Sequence, residues 1–270
     1  MIRHRWIRSV FAAEIKKMLS YRVDFWIQFP GMIAIQLSLA YFLWDAVFSE
    51  NKASEMGGYG FSGLMFYYLM VPLVDRILRG AELRFISVDI YEGSLNKYLI
   101  YPVPFFLFKY VQHFAQASIA LLQCMLTLTM FIVIFGLPDD FHFHSVNFIM
   151  GFIVIVTGSV MYFFMAGIFE CVAFYADNVW SLLVMLRLII YFMGGGMIPL
   201  EFFPDWSANF LHLTPFPYLT SFPIRAFTGK ISFSEFTSGI SIMIFWTAFL
   251  GAALSILWKK GLRSYTGVGI

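Results

Sequence analysis

Apolar positions fill six long stretches of this chain: Phe25–Trp44, Met56–Val74, Tyr110–Pro138, Ser145–Phe169, Asn178–Leu200 and Phe236–Trp258. Only Arg187, in the fifth, breaks them with a charge. Each is close to the roughly 20 helical residues that cross a bilayer's hydrocarbon. A backbone in lipid must satisfy its own hydrogen bonds, so spanning segments are helices or closed barrels, and none of the stretches shows the alternation of barrel strands. The pattern predicts an all-α, polytopic membrane protein with six transmembrane helices.

Three segments between or before these runs have patterns of their own. Within residues 1–23, Ile7, Val10, Phe11, Ile15, Met18 and Leu19 recur at helical spacing, with Arg5, Arg8, Lys16 and Lys17 on other faces. This predicts an amphipathic helix lying in the membrane interface, either a plain anchor or a contact for a partner. From Asp75 to Lys109 the chain mixes charges with Ile77, Leu78, Leu83, Ile86, Ile90 and Leu95, then breaks at Gly93 and ends on Pro102 and Pro104. Short amphipathic helices fit this loop, as a solvated connection or, given its apolar content, as a docking surface. The stretch from Gly194 to Pro223, which begins in the last turns of the fifth run and continues past it, holds five of the ten prolines and a crowd of aromatics.

Composition supports lipid as the main solvent. Over 270 residues the chain is 60% hydrophobic and 13% charged, with mean hydropathy +0.77, more apolar surface than a soluble core of this length hides. A formal charge of +2 gives no reason to expect a nucleic-acid partner. The placement of the basic residues says more. With the N-terminus inside, fourteen Lys and Arg fall on the inner side: Arg3, Arg5, Arg8, Lys16, Lys17, Arg22, Arg76, Arg79, Arg84, Lys97, Lys109, Lys259, Lys260 and Arg263. Lys52, Arg225 and Lys230 fall outside. The positive-inside rule then places both termini in the cytosol. No cleavable signal is expected before the first run. Cys124 lies within an apolar run and Cys171 at the end of another, and they predict no disulfide.

Candidate chemistry is sparse. No G-x-x-x-x-G-K-[ST] sequence occurs, so any nucleotide is expected on another chain. Gly60-Phe61-Ser62-Gly63 matches the short G-x-S-G signature of intramembrane serine proteases, but the one histidine in the spans, His113, is expected at the far end from Ser62. Gly57, Gly58, Gly60 and Gly63 fit close packing and a turn instead. His142 and His144 beside Asp139 and Asp140 lack the further ligands a metal needs, and no metal site is assigned. Glu170 and Arg187 lie equally far from the turn between runs four and five. Equal depth, and the cost of an unpaired charge there, predict a Glu170–Arg187 ion pair.

Three motifs together resemble the membrane subunits of ABC-2 type exporters, the compact bacterial permeases encoded beside a separate ATPase. They are Tyr21-Arg22-Val23-Asp24-Phe25; Glu92-Gly93-Ser94-Leu95 with Leu99 and Pro102; and Gly196 to Leu200 followed by Phe203-Pro204, Pro215-Phe216, Pro223 and Gly229. The resemblance runs nearly end to end and implies one membrane domain over 1–270, placed in a bacterial plasma (inner) membrane. In it, 1–23 would be the interfacial helix, 75–104 the cytosolic coupling loop and 194–234 a re-entrant outer gate. It implies Ile86, Ile90, Gly93, Leu95, Leu99 and Pro102 for ATPase coupling, and Pro199, Phe203, Pro204, Pro215 and Phe216 for the gate. The implied partners are a cytosolic ABC ATPase, which binds the ATP and Mg, a second permease subunit (identical or related), and membrane lipids. The chain itself is expected to hold no cofactor and to catalyse nothing alone. A secondary transporter or channel working without an ATPase stands as the alternative, with an intramembrane serine protease behind it.

Overall fold

The computed structural model describes residues 5–20, 22–52, 54–80, 86–137, 144–176 and 178–266, with the backbone alone for 22–28. Of the positions singled out above, Arg3, Tyr21, Leu83, Arg84, Asp139, Asp140 and His142 lie outside the described residues, as do the side chains of Arg22 to Phe25.

In chain order the described elements are α1 (Arg5–Ser20), α2 (Arg22–Asn51), a hairpin of β1 (Glu55–Met56) and β2 (Tyr59–Gly60), and α3 (Phe61–Arg79). There follow α4 (Ser87–Tyr91), α5 (Leu95–Leu99), α6 (Phe105–Phe135), α7 (Ser145–Glu170) and α8 (Trp180–Met193). The chain closes with α9 (Asp205–Leu211), α10 (Ser221–Phe227) and α11 (Phe233–Ser264), with 3₁₀ turns at Cys171–Phe174, Leu200–Phe202 and Pro217–Leu219. The protein is a helical bundle, and the hairpin is the one pair of strands among the described residues.

Among the described residues, five helices are long and apolar enough to cross a membrane: Phe29–Asn51, Phe61–Arg79, Phe105–Phe135, Ser145–Phe174 and Phe233–Ser264. This differs from the six predicted helices at the fifth run. There, α8 stops after 14 residues, about 21 Å of axis against a hydrocarbon thickness near 30 Å. The glycines end it. Gly195 sits at φ +86°, the left-handed position that closes helices and that β-carbons disfavour, while the amides of Gly196 and Met197 both return to the Tyr191 carbonyl.

The second span also starts later than the apolar run. Met56 to Gly60 form the hairpin, with Gly57 and Gly58 at φ +58° and +76°. Two consecutive positive φ values make a type I′ turn, which Gly-Gly supplies at least cost. The turn expected from these glycines is therefore present, as a strand reversal capping α3.

α3 and α7 form the centre. α3 packs against α2, α6, α7 and α10, and α7 against α11, α10, α3 and α8. Leu64, Tyr67, Leu69 and Val71 of α3 and Val154 and Met161 of α7 are almost wholly buried. The outer helices present their large apolar side chains outward, as at Phe42 in α2, Val133 in α6 and Phe249 in α11, which is stable only where lipid is the solvent. α1 lies along the start of α6, with Trp6 stacked on Phe108 at 6.3 Å and Phe11 against Phe114 at 6.1 Å. The end of α11 reaches the same place, where Trp258 stacks on Phe105 at 4.6 Å. Both described ends of the chain thus meet at one end of the bundle, together with Arg76, Arg79, Lys97 and Lys109. It is called the basic end below.

Candidate functional site

At the basic end, α4 and α5 fold back against the spans. Ile86, Ile90 and Leu95 form a cluster with Phe105, Cys171, Ala173, Val179, Leu183, Leu254 and Trp258. Leu95 has no exposed surface at all. These three residues, expected on a docking surface, instead seat the segment on its own bundle, because apolar side chains at helical spacing bury against the nearest apolar surface. Gly93, at φ +68°, makes the turn between α4 and α5. The exposed apolar face lies further on, at Leu99, Ile100 and Tyr101, with Pro102 beside them; Ile100 is 81% exposed.

Polar contacts fix this segment. Glu170, at the last turn of α7, accepts hydrogen bonds from the amides of Ile86 and Ser87, the latter at 2.8 Å. These are free amides at the start of α4, where a carboxylate is favoured by both hydrogen bonding and the helix dipole. Asp89 accepts from Ser94 Oγ at 2.7 Å and pairs with Lys109 of α6. Lys109 lies 4.8 Å from the ring centre of Tyr98, whose hydroxyl is pushed up to about 12, chiefly by burial and then by Asp89. The ring is therefore neutral at any working pH. Next to this cluster, the buried Glu14 of α1 accepts from Gln112 and Gln116 of α6 at 3.2 and 2.9 Å. α1 is thus pinned to α6 by a polar contact that its apolar spacing did not announce.

The expected Glu170–Arg187 pair is not formed. Arg187 is half exposed, and its nearest carboxylate is Asp75 at 3.9 Å, itself held at 2.5 Å by Arg79. Equal depth on two antiparallel helices fixes height and leaves direction open: Glu170 points at α4, and Arg187 points at α3.

Away from the basic end, the proline-rich segment turns inside the bundle. The Tyr67 hydroxyl donates to the Gly195 carbonyl at 2.8 Å and Tyr68 to Met197 at 2.9 Å. The Ser221 amide donates to Gly194 at 2.9 Å, Tyr218 to His212 at 2.8 Å, and the Trp246 indole to Leu213 at 2.9 Å. Broken helix is tolerated at membrane depth only where protein satisfies the freed carbonyls, and these side chains do so. Pro199 and Pro215 are buried, Phe216 packs on the central core, Phe203 meets Phe192 at 5.8 Å, and Pro204 is exposed where it opens α9. Phe202 packs on Trp44 at 4.9 Å.

An ionic cluster closes this end. Arg225 lies 3.3 Å from Glu201 and 3.5 Å from Glu235, while the Tyr59 hydroxyl donates to Glu201 at 3.4 Å. Burial, then Glu201, push the Tyr59 hydroxyl up. Glu235 also completes a capping box with Ser232 that starts α11. Sequence reasoning missed Tyr67, Tyr68, Tyr59, Glu201 and Arg225. Paired tyrosines in mid-span were the available signal, since a buried hydroxyl needs a partner.

The serine-protease geometry is not assembled. His113 Nε2 lies 3.1 Å from Ser159 Oγ, and Ser62 is exposed at the opposite end of α3.

A family model described as ABC-2 family transporter protein matches residues 9–269. The chain belongs to the ABC-2 transporter family. No curated protein and no solved structure gives a match. Family membership and five apolar helices of spanning length make this ABC-2 transporter a multi-pass membrane protein. The two sites just described therefore sit at opposite ends of its transmembrane bundle.

Proposed function

We propose that the chain is the permease subunit of an ATP-driven exporter, forming half of a translocation pathway with a second permease subunit and driven by a separate cytosolic ABC ATPase that binds ATP and Mg. Membership of the ABC-2 family supports the transport role. The observation that carries the coupling is the two-sided segment at the basic end. Ile86, Ile90 and Leu95 anchor it to the spans while Leu99, Ile100 and Tyr101 stand exposed. In this reading Glu170 ties α4 to α7, so that force applied at the exposed face reaches a span directly. The excess of Lys and Arg at the basic end favours a cytosolic location for it. α8 starts there and delivers the chain to the turn held by Tyr67, so it serves as a short fifth crossing. Pro199, Phe203, Pro204, Pro215 and Phe216 then belong to a re-entrant gate on the outer side.

Co-expression with its ATPase tests this. The doubly substituted Leu99→Asp/Ile100→Asp protein is expected to keep its folded yield and lose the ATPase on affinity purification. Full retention of the ATPase together with transport-linked ATP turnover would remove this face from the mechanism. Transport by the purified chain in vesicles without any ATPase would favour the secondary-transporter reading instead.

A further inference from the structure

α6 and α7 touch near the basic end, where Tyr110 meets Phe163 at 5.3 Å and His113 reaches Ser159. Toward the other end they part over α3 and leave a cavity of about 380 Å³. Leu73 and Val74 of α3 form its floor, each about 2% exposed or less, and Leu128 and Ile155 stand in its walls. Met125 and Phe152 are exposed on the rim, so the cavity opens sideways between α6 and α7. Polar character is confined to two side chains. Cys124 donates its thiol proton to the Leu73 carbonyl at 3.4 Å, and His144 stands at the start of α7, where the cavity nears the membrane surface.

Apart from Phe227 of the short α10, the helices that line it, α3, α6 and α7, are all of spanning length, so the medium at a mouth between α6 and α7 is hydrocarbon. An apolar cavity of about 150 Å³ already stays dry and takes up benzene, and this one is more than twice as large. Left empty, its walls would forfeit their dispersion contacts. A hydrocarbon chain suits both the size and the lining, and an imidazole at the mouth suits the polar end of the same molecule.

We propose that this cavity is a lipid site, taking one acyl chain of a membrane phospholipid from the leaflet away from the basic end, with its headgroup beside His144. The proposal requires the chain to be embedded in a membrane and is independent of any ATPase.

The test uses the full chain in vesicles of phosphatidylethanolamine and phosphatidylglycerol. A trace of the phosphatidylglycerol carries a diazirine near the end of one acyl chain, and adducts are mapped by mass spectrometry after irradiation. Adducts are expected on Leu73 and Val74, which lipid at the bundle surface does not reach. Leu128→Trp, which fills the cavity, is expected to lower them about fivefold while adducts on the lipid-facing Phe42 and Phe249 persist. Absence of floor adducts in the unaltered protein overturns the proposal whatever the variant does. Undiminished floor labelling in a Leu128→Trp protein of normal melting temperature overturns it as well. So does disulfide cross-linking between copies through Met125→Cys, which would assign the cavity to a subunit interface.

Discussion

Glu170 and Arg187 show how differently two charges in apolar helices are handled. Removing the Glu170 carboxylate leaves the Ile86 and Ser87 amides without their acceptor in a buried place. Each unsatisfied group costs about 1–3 kcal/mol. Glu170→Ala is therefore expected to lower the melting temperature of the detergent-solubilised protein sharply, and Glu170→Gln less, since an amide oxygen still accepts. Arg187 is half exposed and 3.9 Å from Asp75, which Arg79 also holds, so Arg187→Gln leaves no buried group without a partner and should lower stability less than Glu170→Ala. The double variant Glu170→Gln/Arg187→Gln should show additive losses; a recovery in the double variant would revive a direct pair.

Among the elements, α5 and the turn after α8 each have two sides that respond differently. Leu95→Asp buries an uncompensated charge among Phe105, Leu183 and Trp258, a change that costs several kcal/mol. It should abolish folded yield, whereas the same charge at Ile100 should leave yield intact; equal yields would mean that α5 is not seated as described. At the turn, Gly195 has φ +86°, and an added β-carbon would lie 3.1 Å from the Tyr67 hydroxyl and 3.2 Å from Leu200 and Ser221. The left-handed conformation alone costs a non-glycine residue about 1–2 kcal/mol. Gly195→Ala is expected to destabilise the protein by at least that much in thermal melts, with Tyr67→Phe milder because it removes one hydrogen bond without crowding. A Gly195→Ala protein that melts normally would show that the turn does not constrain the fold.

The whole molecule makes a prediction about sidedness. Cys124 and Cys171 are free and buried, so a maleimide should find little background. Lys97→Cys lies at the basic end and Asn209→Cys in α9, both at exposed positions. A membrane-impermeant maleimide added from outside the membrane that holds the protein is expected to label Asn209→Cys. Lys97→Cys should react only after that membrane is opened. The reverse pattern would turn the molecule over and move the proposed coupling face outside the cell.

Much of this protein was readable along the chain. Apolar runs set by bilayer thickness located the five helices long enough to cross, and overestimated the length of α8. Helical spacing located α1, and glycines and prolines marked the break that ends α8, because length, period and backbone freedom are local properties. Gly57 and Gly58 likewise announced a turn. The structure decided what local patterns leave open, namely direction. Ile86, Ile90 and Leu95 carry the right spacing for a docking face, yet only packing shows that they face inward and that Leu99 to Tyr101 face out. Glu170 and Arg187 share a depth, but the azimuth of each helix sends one to the α4 amides and the other to Asp75. Tyr67 and Tyr68 find their acceptors about 130 residues away along the chain. Their partners exist only once a broken helix has been folded back against α3, and that is settled by tertiary contact.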